Sequence, residues 1–304
     1  MAFTAKDVQA LREKTGCGMM DCKKALTECD GDMDKAVDFL REKGLAQQAK
    51  KASRIAAEGA VLVYEGDGVA AAVEINAETD FVAGGDLFKD LTKKVAQVVA
   101  EQNPADVEAL GNCTMDGKTV NEAVQDLFLS VRENIKIRRF ERFEGAVGSY
   151  VHGGGKIGVL VKFDAPAEVA ATDEFKTLAK DISMQIAAAN PSYLDRESVP
   201  AEVLEHEKSI MVTQMKEDPK MANKPDQVLH KIVEGKMGKY FSEVCLLEQT
   251  FVKDGDYTVG KYIEAEAKKL GAEIKLVAFA RLEKGEGLEK RVDNFADEVA
   301  SMVK

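Results

Sequence analysis

Glu58-Gly59-Ala60, Tyr64 and Gly66-x-Gly68 lead through an apolar strand to Phe88-Lys89, Leu91 and Asn103-Pro104. The same series returns as Glu144-Gly145-Ala146, Tyr150 and Gly153-Gly154-Gly155, an apolar strand, Phe175-Lys176, Leu178 and Asn190-Pro191. The copies lie 86 residues apart at their start and 87 at their end, so about one residue is inserted in the hairpin. Each reads as a glycine-turned β-hairpin followed by a helix. A sheet with one apolar face must be covered by a helix or by another sheet. The repeat therefore predicts an α+β protein with two related subdomains, each laying its helix over a small antiparallel sheet.

Between strand and helix the first copy carries Asn76-Ala77-Glu78-Thr79-Asp80-Phe81-Val82-Ala83. A loop there is held by elements on both sides. In one reading Phe81 caps the local core and Asp80 is a helix N-cap or turn residue. In the other, Phe81 is a protruding anchor for a partner's pocket. The second copy has Asp164-Ala165-Pro166-Ala167 near that place and no Thr-Asp-Phe-Val. The fold alone should then not require the segment, which favours a functional role.

Outward from the repeat, residues 1–44 read as a three-helix module. Thr4 caps the first helix with Asp7 at its third position, and Val8 and Leu11 face inward. Met19, Met20, Cys22, Ala25 and Leu26 give the second its periodicity. Val37, Phe39 and Leu40 carry the third, which Gly44 should stop. So small a unit is marginal alone. Met19-Met20 suits either core packing or an adaptable contact surface. Residues 45–55, with Lys50, Lys51 and Arg54, read as a basic, solvated linker.

The core subdomains are expected at 56–143 and at 144–198 with 242–284. Between the repeats lie an irregular stretch, 104–120, a helix from Val120 to Val131, and a strand, Ile135-Lys136-Ile137-Arg138-Arg139-Phe140. Residues 199–241 form an antiparallel helical hairpin, bounded at its turn by Asp218-Pro219 and Lys224-Pro225. Its helices are marked by Val203, Leu204, Ile210, Met211 and Met215, and by Val228, Leu229, Ile232, Val233, Lys236, Met237, Tyr240 and Phe241. A helix (Val259 to Leu270), a strand (Ile274 to Arg281) and a Gly285-Glu286-Gly287 turn precede a C-terminal module, 285–304, ending in an amphipathic helix, Phe295 to Val303.

The chain has 304 residues, enough for two or three domains; 31% are charged and 45% hydrophobic. No apolar run approaches the ~18 residues that span a bilayer. The N-terminal sequence is charged, without the apolar core of a signal peptide, so cytoplasmic placement is expected. Five cysteines without C-x-x-C spacing predict free thiols, and three scattered histidines suggest no metal cluster. A net charge of −11 argues against a generic nucleic-acid binder. Residues 1–55 nevertheless hold 11 Lys/Arg against 9 Asp/Glu.

Catalytic patterns fail one by one. His152-Gly153-Gly154-Gly155-Lys156 has no G-x-S-x-G elbow to serve, and its spacing is wrong for a phosphate loop. Gly111 to Gly117-Lys118-Thr119 has one residue too many and no buried strand before it. The repeat explains the first group as a hairpin turn.

Three motifs then carry a resemblance. Thr15-Gly16-Cys17-Gly18-Met19-Met20-Asp21-Cys22-Lys23-Lys24-Ala25-Leu26, Thr79-Asp80-Phe81-Val82-Ala83 and Gly148-Ser149-Tyr150-Val151-His152-Gly153-Gly154-Gly155-Lys156-Ile157-Gly158-Val159-Leu160 resemble, in order, signatures of the bacterial translation elongation factor Ts family. The order of parts agrees over essentially the whole chain; residues 104–120 are locally unlike the family. The resemblance implies a UBA-like N-terminal module, a duplicated α+β core, a coiled-coil arm and a short C-terminal helical module. It implies a guanine-nucleotide exchange factor for the GTPase elongation factor Tu, in a 1:1 or doubled complex. No cofactor, catalytic residue or metal ligand of the chain's own is implied, and no membrane or direct nucleic-acid contact. Thr79, Asp80, Phe81 and Val82 would intrude into the partner and dislodge the Mg²⁺ that helps hold GDP. Arg12, Met19, Met20 and Lys23 would dock the N-terminal module. The competing class is a non-catalytic scaffold or chaperone-like binder using Met19-Met20 and the arm, and a weak nucleotide-binding enzyme is a third. A lysate pull-down separates the first two: one stoichiometric GTPase, or a broad smear.

Overall fold

The computed structural model describes residues 3–66, 68–217 and 224–289. Helices α1 (Ala5–Thr15), α2 (Met19–Glu28) and α3 (Met33–Lys51) precede a hairpin of β1 (Glu58–Gly66) and β2 (Val69–Ala77). The one-turn helix α4 (Asp80–Gly84) and α5 (Asp86–Gln102) follow. Then come α6 (Val107–Asn112), a small hairpin of β3 (Thr114–Met115) and β4 (Lys118–Thr119), α7 (Val120–Val131) and β5 (Lys136–Glu144). The second copy has β6 (Ala146–His152), β7 (Ile157–Asp164), α8 (Ala167–Ala170) and α9 (Asp173–Ala189). The helix pair α10 (Ala201–Glu217) and α11 (Asp226–Val244), then α12 (Val259–Leu270) and β8 (Lys275–Glu283), complete the described chain. The fold is α+β. The predicted Asp218-Pro219 turn and the helix Phe295 to Val303 lie outside the described residues.

Both three-stranded sheets are antiparallel, in the orders β1-β2-β5 and β6-β7-β8. The third strands belong to the repeat, which the sequence reading missed. Val73 pairs with Phe140 and Val161 with Phe279, and both sheets carry a register shift just beyond. One expectation needs correction. The first hairpin closes at Gly66–Val69 and the second at His152–Ile157, so the second turn is two residues longer, not one. The physical reason is the two-residue side-chain period: a one-residue slip would turn the apolar face of β7 to the wrong side. With two, Ala71, Val73 and Ile75 correspond to Val159, Val161 and Phe163, all in helix-facing cores. Gly153, Gly154 and Gly155 all have positive φ, which the longer turn requires. The enzyme-like glycines of His152–Lys156 are thus turn residues.

Each sheet buries one face under its own helix, with Phe88, Val95 and Val99 of α5 in one core and Phe175, Ile182 and Ile186 of α9 in the other. The opposite faces meet through Val61, Ala70, Ala72, Leu160 and Leu282. The turns cross over: Val61 N donates to Gly155 O and Gly145 N to Gly68 O, both at 2.8 Å. Glu74 is fully buried at this junction. It accepts from Arg138, Arg139, Asn76 and the Gly285 amide. Burial alone pushes its carboxyl up, but these hydrogen bonds together outweigh burial and leave it below the usual carboxylate value.

The three-helix unit is completed by a fourth helix. Val8, Leu11, Cys22, Ala25, Leu26 and Leu40 pack with Phe128 and Leu129 of α7. Thr4 is the N-cap, as predicted, and its N and Oγ1 donate to the Asp7 carboxylate at 2.6 and 2.8 Å. Gly44, however, does not stop the third helix. A Cβ there would lie 2.4 Å from Leu129 Cδ2, so the glycine serves the close approach of α3 to α7. Residues 45–51 of the predicted linker are accordingly helical. Met19 and Met20 stand outside the core, 44% and 74% exposed.

The helix pair buries Val212, Met215, Leu229, Val233 and Met237 between its members, whereas Val228 and Lys236 of the predicted pattern face solvent. All five cysteines are free; burial raises the Cys17, Cys22 and Cys245 thiols, the last to about 11.

Two outcomes follow from this packing. Phe128→Ala should weaken the three-helix unit by about 3–5 kcal/mol, read by native-state hydrogen exchange of α1–α3; a loss under about 1 kcal/mol would mean that the unit stands without α7. Since the folded pKa of Glu74 is lowered, its contribution is present above the unfolded value, about 4.3, and is lost as pH falls through the folded one. Glu74→Gln should remove about 3–5 kcal/mol at neutral pH and flatten the acid limb of a urea-stability profile. An unaltered acid limb would contradict the assignment.

Candidate functional site

The Thr-Asp-Phe-Val segment forms α4, a single turn rather than a loop. Thr79 is the N-cap, in extended conformation, and its Oγ1 accepts from Val82 N at 3.3 Å. Asp80 is therefore the first helical residue and not the cap. Ala83 is buried and Val82 packs partly on the first core. Phe81 is 90% exposed, so it does not cap that core. Leu87, in the first turn of α5, is also exposed. A five-residue helix has too few internal hydrogen bonds to stand by itself. Its position must be imposed from outside.

Besides the packing of Val82 and Ala83, the loop between α7 and β5 constrains it. Thr79 N and Oγ1 both donate to the Glu133 carboxylate, at 3.0 and 2.7 Å. Asn134 N donates to Glu78 Oε1 at 2.8 Å, and Glu78 Oε2 pairs with Arg54 at 3.2 Å. Asn134 Nδ2 in turn donates to Arg54 O at 3.0 Å. Arg132 caps α7 in the left-handed region, φ 61°. It reaches the N-terminal unit, donating to Asp21 Oδ2 at 2.6 Å and to Gln47 Oε1, while its carbonyl accepts from Lys51 Nζ. Three consecutive residues thus tie together the start of α4, the end of α3 and the first turn of α2.

Arg12, Met19, Met20 and Lys23 are all exposed on the N-terminal unit. Met19 and Met20 open α2, and Lys23 follows at helical spacings of four and three, which puts the three on adjoining faces. Arg12 lies in the last turn of α1. The two groups of expected contact residues do not touch each other in the described contacts; they are joined through Asp21, Arg132, Glu133 and Thr79. Sequence reading missed Arg132, Glu133 and Asn134. The polar run between a helix and a strand signals a loop, but nothing in its spacing names its partners, which are up to 111 positions away.

The second copy corrects another expectation. Its helix α8 begins at Ala167, 87 residues after Asp80, the same interval that separates α9 from α5. The one-turn helix is therefore a feature of the repeated fold. What differs is its surface: Glu168 stands where the first copy has Phe81, and Pro166 replaces the capping Thr79 without a side-chain cap. Among the described residues no group of three or more His, Cys, Asp or Glu could hold a metal ion, and no helix is long and apolar enough to cross a membrane. His152 Nδ1 lies 3.2 Å from the Tyr150 hydroxyl at the end of β6.

Comparison with known proteins adds an independent line. The family profile described as elongation factor TS matches residues 78–286. Elongation factor Ts of Clostridium novyi (strain NT) is 49% identical over 304 residues, covering 97% of each chain. That of Trichlorobacter lovleyi is 48% identical over 310 residues, covering 99% of this chain and 98% of its own. That of Syntrophotalea carbinolica is 49% identical over 309 residues and covers both chains fully.

Because Phe81 is exposed, Phe81→Ala should change the unfolding free energy by no more than about 0.5 kcal/mol in urea titration. A loss above about 1.5 kcal/mol would show that the ring is part of the core.

Proposed function

The chain belongs to the elongation factor Ts family, and from that premise we propose that it is a guanine-nucleotide exchange factor for elongation factor Tu. It binds the GDP-bound GTPase in the cytoplasm and promotes GDP release during translation elongation, without catalysing a reaction of its own. Thr79, Asp80, Phe81 and Val82 enter the partner's nucleotide domain and dislodge the Mg²⁺ that helps hold GDP. Arg12, Met19, Met20 and Lys23 dock the N-terminal unit on the same domain. The second core copy and the arm formed by α10 and α11 grip other parts of the partner.

One observation carries this reading: Phe81 is 90% exposed on a helix that the protein holds in place from a distance. Leaving a phenylalanine in water forgoes roughly 1.5–3 kcal/mol of burial, which a partner pocket can recover. Exchange is a matter of linkage: a factor that weakens GDP binding is weakened by GDP to the same degree. Each tenfold loss of nucleotide affinity requires ~1.4 kcal/mol of contact made only with the nucleotide-free form. Burial of Phe81 in that form alone provides one or two decades, and larger acceleration draws on the N-terminal contacts and the rest of the interface.

Stopped-flow release of a fluorescent GDP from elongation factor Tu tests the reading. Phe81→Ala should slow factor-driven release by roughly tenfold to a hundredfold. An unchanged rate removes Phe81 from the mechanism, and a wild-type chain that does not speed release removes the function.

A further inference from the structure

We infer that Glu133 is a positioning residue for exchange: by receiving both hydrogen bonds from Thr79 it fixes the direction in which α4 presents Phe81. The inference rests on the exchange-factor reading above. Glu133 lies 54 positions from Thr79 and belongs to none of the three sequence motifs.

The geometry singles it out. The N–H and Oγ1 of Thr79 converge on one carboxylate, so the joint between Glu78 and α4 cannot swivel without breaking both bonds. On the far side of α4 stand Gly84 and Gly85, and space is open around Gly84, so beyond Ala83 no side chain anchors that end. Within α4 only Ala83 is buried. Removing the Glu133 carboxylate leaves Thr79 Oγ1 free to go on capping Val82, so the turn survives while its aim is lost. The second copy confirms that the clamp is not demanded by the fold: α8 keeps its place with Pro166 at the corresponding position and no side-chain cap.

The same loop sets a second relation. Arg132, one residue before Glu133, grips Asp21 in the first turn of α2, beside Met19 and Met20. The exposed methionines and Phe81 are thereby referred to one short stretch of backbone, held by Arg132 O and by the Asn134 amide. A contact group displaced by about 1 Å can lose up to about a hundredfold in rate, and supporting groups of this kind govern such displacements.

The test uses the full chain with Glu133→Ala, Glu133→Gln, Phe81→Ala and the Glu133→Ala/Phe81→Ala pair. Two readouts are taken: hydrogen exchange of the Thr79 amide, and GDP release from elongation factor Tu over a range of factor concentrations. In Glu133→Ala the Thr79 amide, which loses its acceptor, should exchange faster while those of β2 and α5 stay unchanged. The maximal release rate should fall about tenfold with the half-saturating concentration within about twofold of wild type. Glu133→Gln, whose amide can still bond to Thr79, should restore most of the rate. The drop should vanish in the Phe81→Ala background. If Glu133→Ala does not fold, Glu133→Asp, which keeps the charge and shortens the reach, carries the same comparison. Unchanged Thr79 exchange, a change confined to the half-saturating concentration, or an undiminished drop without Phe81 each overturns the inference while the exchange function stands. A wild-type chain that fails to speed release overturns the function instead, and the positioning role with it.

Discussion

Residues 132–134 hold together pieces that cannot hold themselves. A five-residue helix lacks the internal hydrogen bonds to be stable, and a three-helix unit of this size has too little core. Both are stabilised by α7 and the loop that follows it. Phe128 and Leu129 fill the base of the N-terminal unit. Arg132 then donates to Asp21, Glu133 accepts from Thr79, and the Asn134 amide donates to Glu78. The left-handed cap at Arg132 lets consecutive side chains reach different elements, and it turns the Arg132 carbonyl toward Lys51. Most of these bonds involve a charged group, the class that contributes most per bond.

The duplicated core shows how a surface position can vary on a fold that does not depend on it. Both copies have a hairpin, a one-turn helix, a long helix and a third strand. The side-chain period of two governs where they can differ: the longer second turn adds two residues and keeps every apolar residue of β7 on its proper face. At the one-turn helix no such constraint applies to the outward position, so Phe81 and Glu168 occupy it in turn. Glu74, buried and bonded to two half-buried arginines and the Gly285 amide, marks the first sheet as the one that receives the end of the second.

Much of this was legible in the sequence because it is periodic. The repeat, the bounds of α7 and α12, the Thr4–Asp7 cap and the glycine turn after His152 follow from spacing and residue type. The extent of α3 was not legible: Gly44 looks like a stop signal, and only the nearness of Leu129 explains a glycine within a continuing helix. Likewise Met19 and Met20 match a helical pattern as well as Leu26 does, and only packing shows which of them face the core. The segment 76–83 stands out in the sequence, but its cap falls on Thr79 because the Oγ1 there, and not Asp80, meets the Val82 amide. Glu133 was invisible for a simpler reason. A carboxylate in a polar loop carries no local sign of a partner 54 positions away.

The central claim, that an aimed phenylalanine opens the nucleotide site of a GTPase, is tested most directly by proximity. A photo-crosslinking side chain installed at position 81 should attach, in the complex with nucleotide-free elongation factor Tu, to residues beside the Mg²⁺ and GDP phosphate site, as mapped by mass spectrometry. Attachment only at surfaces remote from that site would contradict it.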